Sequence, residues 1–308
     1  MIRALKQTDI PSLLEMWNAF VPEHMMDRRA LVKNVLLDMN FDPDGFLIAE
    51  RDGECVGFIW AIVRRYPIDV GAASEESFGY INAIGLRAGE DISVARALIS
   101  AAEGYLVERG KTSVKVSGYT PNYVYPGIST RHTALIELFT EMGYIEKKRN
   151  VSIGADLYLF SPRSDYEELR AKRESEGYSF RQLEDADIIQ LLRFAPAGWV
   201  HRYRRLIGET MDYEKVRLVL HNEKIVGCAV FGDPYSTDER FGPYMIDSEY
   251  RGLGLGKILL YDTLLAMKRK GMRHAYAQST PIGGVAAKTY ASLGFAVTDE
   301  FVVFEKTF

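Results

Sequence analysis

The chain has 308 residues, room for two domains of ordinary size, and its 47% hydrophobic and 26% charged content describes a protein able to bury a core. A formal net charge of -4 supplies no general attraction to nucleic acid or to an anionic membrane surface. No apolar run reaches membrane-spanning length and the first residues show no signal-peptide core, so the expectation is a cytoplasmic protein with no nucleic-acid or membrane partner.

In chain order, a short strand from Ile2 leads past Asp9 into an apolar-periodic helix. Phe46–Ala49 and Val56–Trp60 then flank the turn residues Arg51-Asp52-Gly53-Glu54, the pattern of a hairpin. Later come a tyrosine-rich loop from Ser117 to Gly127, and a helix that ends on Gly143-Tyr144. The same order then returns. Phe180 to Ile188 repeats the opening, Val216–Leu220 and Ile225–Val230 repeat the hairpin around Asn222, and Gly294-Phe295 repeats the helix end. Between the copies, Ser161-Pro162-Arg163-Ser164 opens a polar, charge-alternating segment that reads as a linker with a solvated helix. The expected division is 1–160, a linker at 161–177, and 178–308. Cys55 and Cys228 both sit beside Val-Gly steps in strand patterns and read as buried free thiols. The five histidines show no metal-ligand spacing, so no metal is expected.

The passage from Tyr244 to Leu260 carries the chemistry. A β pattern runs through Arg251-Gly252-Leu253-Gly254-Leu255-Gly256-Lys257 into an apolar-periodic helix. Alternate glycines let backbone N–H groups approach a ligand at a helix N-terminus, where the dipole favours an anion. A Walker loop needs Gly where Arg251 stands and Ser or Thr where Ile258 stands. A dinucleotide fingerprint needs a third Gly where Lys257 stands, in the first βαβ unit of its domain. Both fail. The Arg-x-x-Gly-x-Gly spacing, with the strand exit Ile246-Asp247-Ser248-Glu249-Tyr250 before it, resembles the pyrophosphate loop of the GNAT acetyltransferase family. Ala286 to Phe295 resembles that family's final helix.

The resemblance covers nearly the whole chain, specifically in the second copy and architecturally in the first. It implies an α+β fold of two tandem acyl-CoA N-acyltransferase (GNAT) domains, each a mixed, mostly antiparallel sheet flanked by helices. It implies acetyl-CoA as cosubstrate, bound by Tyr244, Met245 and Ile246 of a splayed strand and by Arg251, Gly252, Leu253, Gly254, Leu255, Gly256 and Lys257. Tyr244 N–H is expected to polarise the thioester carbonyl, and Tyr290 to protonate the departing thiolate. Glu239 or Asp238 is expected as general base, with Glu239 preferred. The sequence departs from the family at Gly283, where many relatives carry Asn. The acceptor is expected to be a primary amine on a small molecule or a protein. A rival reading is a non-catalytic acyl-CoA sensor or interaction module.

Aligned on the same loop, the first copy places Glu90 at the position of Arg251, Asp91 at Gly252 and Phe139 at Tyr290. Two carboxylates oppose a pyrophosphate and a phenyl ring carries no proton, so the first copy is expected to keep the fold without the chemistry. Its tyrosine-rich loop has two open readings, an acceptor pocket or internal packing.

Overall fold

The computed structural model describes the chain except residues 66–75, 120, 121, 123, 233–238 and 282–284. Two compact units result, residues 1–151 with 299–308, and residues 152–298.

In the first unit, β1 (Ile2–Ala4), β2 (Phe46–Arg51), β3 (Glu54–Ile62), β4 (Phe78–Leu86) and β5 (Ser113–Val116) follow one another across a mixed sheet. The β1, β2 and β3 pairings and the β3–β4 pair are antiparallel, while β4 and β5 run parallel. The hairpin turn residues Asp52 and Gly53 have φ of 52° and 81°, the doubly left-handed geometry that a two-residue loop demands. β3 and β4 are apolar at nearly every position because helices cover both faces, α1 (Ile10–Phe20) and α3 (Ile92–Glu108).

Next to β5 lies neither the following strand nor its neighbour, but the chain's last one. β13 (Ala296–Thr307) pairs with β5 from Phe304 to Thr307, and Phe301, Val302 and Phe304 join the first unit's core. β7 (Ile145–Asp156) lies beyond β13. The compact units thus follow contacts, whereas a 178–308 division follows the repeat. Alternation of apolar residues identifies a strand but does not name its partner.

In the second unit, β8 (Tyr178–Gln182), β9 (Val216–His221), β10 (Lys224–Phe231) and β11 (Phe241–Ile246) form a four-stranded antiparallel sheet. β12 (His274–Pro281) pairs with β7 instead. The helices are α5 (Ser164–Ser175), α6 (Ile188–Phe194), α7 (Ala197–Thr210), α8 (Leu255–Arg269) and α9 (Val285–Ser292). The segment read as a linker supplies α5, and its Tyr166 is buried rather than solvated. Within α7, Tyr203 is fully buried with its hydroxyl 2.8 Å from Cys228 Sγ, so that helix presents a core face as well as its charged one. Both cysteines are buried and free.

The repeat in the sequence has a physical basis in each unit. Arg3 grips Asp9 with two hydrogen bonds of 2.6 and 2.9 Å, and Arg181 grips Asp187 with two of the same lengths. Each carboxylate also accepts the N–H that opens its helical turn, from Lys6 and from Glu184. The helix ends repeat too, since Gly143 and Gly294 both take the left-handed conformation, φ 85°. The open question of the first copy's tyrosines resolves toward packing. Tyr119 stacks edge-on to Trp60 and Tyr80 and donates to the buried Asp38, and Tyr125 meets Trp17 and Phe301. Tyr123 lies outside the described residues.

The paired arginines hold the Asp9 and Asp187 carboxyls below the usual carboxylate range, so folding favours their ionised forms. That stabilisation is complete above the ordinary Asp value of about 4 and is lost as pH falls through the lower folded value. Asp9→Asn or Asp187→Asn should lower stability at about pH 6 by roughly 2–3 kcal/mol, and should lose less than the parent on going to about pH 3. Urea unfolding at both pH values checks this. Equal acid losses in parent and variants would remove the ion pairs as the cause.

Candidate functional site

The site forms where β11 parts from β12. The two share one parallel bridge, Arg240 with Tyr276, and the Tyr276 N–H donates to Glu239 O at 3.1 Å. Beyond it β11 stays on β10 while β12 belongs to the other sheet. In the first unit the equivalent pair, β4 and β5, holds a ladder from Phe78 to Ile81.

The register of β11 decides which backbone groups face the gap. The Asp247 N–H donates to Val226 O on β10, so alternation turns the Met245 N–H to β10 as well. The amides of Tyr244 and Ile246 then point to the open edge. Pro243 has no N–H to offer.

From β11 the chain passes through Asp247, whose carboxylate accepts from Glu249 N–H, and reaches the loop. Gly252 and Gly254 sit at φ 82° and 79°, conformations that disfavour a Cβ. The third glycine serves a different purpose. A Cβ on Gly256 would come within 2.5 Å of the Tyr244 hydroxyl, so its absence lets helix α8 close onto β11. The N–H groups of Gly252, Leu253, Gly254, Leu255 and Gly256 donate to no described residue, and the first closed turn begins with Lys257 N–H to Gly254 O. Five successive unpaired amides at the head of a fifteen-residue helix make a cradle for an anion. Arg251 stands beside it, exposed, with Nε donating to Ile246 O at 3.3 Å, and the Lys257 side chain is also exposed.

Tyr290, on α9, is set among Phe241, Tyr244 and Phe295, with ring centroids 5.8, 6.1 and 5.5 Å away. Its hydroxyl donates to no described residue. Burial pushes its pKa up to about 12, so the phenol keeps its proton at neutral pH. Glu239 lies at the entrance of β11, where Oε1 accepts from the Arg273 and His274 amides at 3.3 and 3.2 Å. Asp238 and Gly283 lie outside the described residues.

The first unit resolves the same problem internally. Asp91 caps α3, its carboxylate accepting from Ser93 N–H at 2.8 Å, and the helix begins at Ile92, the position of Leu253 in the second copy. The protein's own carboxylate thus occupies the head of α3. Glu90 is paired with Arg51 at 2.7 Å, and Phe139 is buried against Phe304 and Tyr144. Among the described residues no His, Cys, Asp or Glu cluster could hold a metal ion. No described helix is long and apolar enough to cross a membrane.

Sequence reading missed α5 as part of the site. Leu169 rests 3.0 Å from where a Cβ on Gly254 would stand, and the Tyr166 hydroxyl lies 3.0 Å from Ser292 Oγ on α9. The available signal was the pair Tyr166 and Leu169, spaced three apart on an otherwise charged helix.

Residues 212–297 match the family model of the acetyltransferase (GNAT) domain. A 40-residue stretch is 58% identical to mycothiol acetyltransferase from Acidothermus cellulolyticus, covering 13% of this chain and only 12% of that protein's length. A GCN5-related N-acetyltransferase from Sphaerobacter thermophilus superposes with a TM-score of 0.77 at 16% identity, over 100% of this chain and 95% of that one. A tandem GNAT protein from the clavulanic acid biosynthesis pathway gives 0.70 at 14% identity, over 100% and 98%. At such identities these two structures speak to the fold. The second unit thus carries a match to the acetyltransferase (GNAT) domain over residues 212–297, and the chain as a whole has the fold of tandem GNAT proteins.

Proposed function

We propose that the second unit transfers an acetyl group from acetyl-CoA to a primary amine, and that the first unit has no such site. The reading is carried by the five unpaired amides from Gly252 to Gly256, which suit a pyrophosphate, beside a strand that has left its partner. In this reading Arg251 adds positive charge at the loop, and the open edge of β11 pairs with the pantetheine arm. Of the β11 residues, Tyr244 and Ile246 offer amides and Met245 contributes side-chain contact.

The amine attacks the thioester carbonyl directly. The Tyr244 N–H stabilises the oxyanion of the tetrahedral intermediate, a contribution of about 2.7–4 kcal/mol for a donor of this kind. As the carbon–sulfur bond breaks, Tyr290 gives its proton to the thiolate, and the ammonium proton leaves through water toward Glu239. Neither cysteine suits an acyl-enzyme: burial pushes Cys228 up to about 12 and raises Cys55 as well. The acceptor is a small-molecule amine or a protein amino group, in a cytoplasmic setting.

Calorimetric titration with CoA should give one site per chain, abolished by Arg251→Glu and untouched by Glu90→Gln. Two sites, or loss on the Glu90 change, would move the assignment to the first unit. Tyr290→Phe should leave CoA affinity within about twofold while lowering turnover roughly 100-fold in a thiol-release assay with an amine panel. Equal slow release in both proteins would favour an acyl-CoA sensor. With the phenol titrating at about 12, kcat/KM should show no falling limb between about pH 7 and about pH 10.

A further inference from the structure

The sequence marks residues 161–177 as a connector between two copies, but the contacts of α5 lie on the two elements that hold the proposed site. Tyr166 is 5% exposed, and its ring stacks on Tyr261 of α8 with centroids 4.8 Å apart. Its hydroxyl reaches Ser292 Oγ at 3.0 Å, at the end of α9 and two residues beyond Tyr290. Ser292 already gives its single proton to Thr289 O, so Tyr166 is the donor. The Arg163 guanidinium donates to Ser292 O at 2.9 Å, adding a second tie to the same helix end.

One turn along α5, Leu169 lies over Gly254, the left-handed residue at the head of α8. Arg170 then reaches Asp262 at 3.5 Å, the carboxylate that Arg217 of β9 grips with Nε and NH2. The short stretch from Arg163 to Arg170 therefore touches the anion loop with one side chain and the Tyr290 helix with two others. The remaining α5 surface is charged and solvated, as a helix of its composition should be.

We propose that α5 is a strut of the acetyl-CoA site, with Leu169 and Tyr166 as positioning residues: Leu169 holds the pyrophosphate loop in shape, and Tyr166 sets the placement of Tyr290. This rests on the reading of the second unit as an acetyl-CoA-dependent transferase. The two contacts act on different parts of the reaction. The loop engages the remote end of CoA equally in ground and transition states, so a change there alters affinity. The phenol acts only as the carbon–sulfur bond breaks, so a change there alters turnover.

The test uses the full-length chain with CoA calorimetry and steady-state kinetics under saturating acetyl-CoA. Leu169→Ala should weaken CoA binding about tenfold with kcat within about twofold of the parent, and Leu169→Met should restore affinity. Tyr166→Phe keeps the stacked ring and removes only the hydroxyl. It should leave CoA affinity within about twofold and lower kcat about tenfold. If both variants bind and turn over like the parent, or if both lose only thermal stability, α5 is merely a packed linker and the proposal falls. A parent protein that binds no CoA would instead sink the transferase reading, and this inference with it.

Discussion

A β-strand that leaves its neighbour exposes backbone groups that something must satisfy, and the second unit is arranged around that demand. β11 keeps β10 on one side but shares only the Arg240–Tyr276 bridge with β12 on the other. In its continuation into α8, five further amides donate to no described residue. The loop is exposed to partly buried, so water can meet these amides, and an anion at the helix head meets them with the dipole in its favour. In the proposed reading an extended ligand ending in a pyrophosphate serves both, with an amide-bearing arm for the strand edge and an anion for the helix head.

The first unit meets the helix-head part of that demand from within, although β4 too runs on past its last pairing with β5, from Ile81 to Leu86. Its β4–β5 ladder runs four residues, and Asp91 supplies the anion at the head of α3. A side-chain carboxylate there stabilises the helix with no ligand bound, and the same carboxylate repels a phosphate. The scaffold is retained, with both Arg–Asp clasps alike to a tenth of an ångström, while the glycine loop with its open amides is found in the second unit.

The three glycines of the loop illustrate how one motif serves several constraints. Gly252 and Gly254 provide left-handed backbone, Gly254 also seats Leu169, and Gly256 admits the Tyr244 hydroxyl. Spacing alone assigns all three to the ligand. Packing assigns the third to closure of α8 on β11, which brings Tyr244 beside Tyr290.

By itself the sequence determined the local matters: the repeat, the hairpins with Asp52-Gly53 and Asn222 at their turns, the glycine-terminated helices, and the candidate loop from Arg251. These depend on neighbours a few residues apart, whose preferences are written in residue type and period. Tertiary structure decided what depends on distant partners. It put β13 beside β5, buried Tyr119 and Tyr125, turned the Tyr244 and Ile246 amides outward, and packed α5 on α8 and α9. Strand pairing and side-chain packing join residues far apart in the chain, and no local pattern encodes which of several apolar segments will meet.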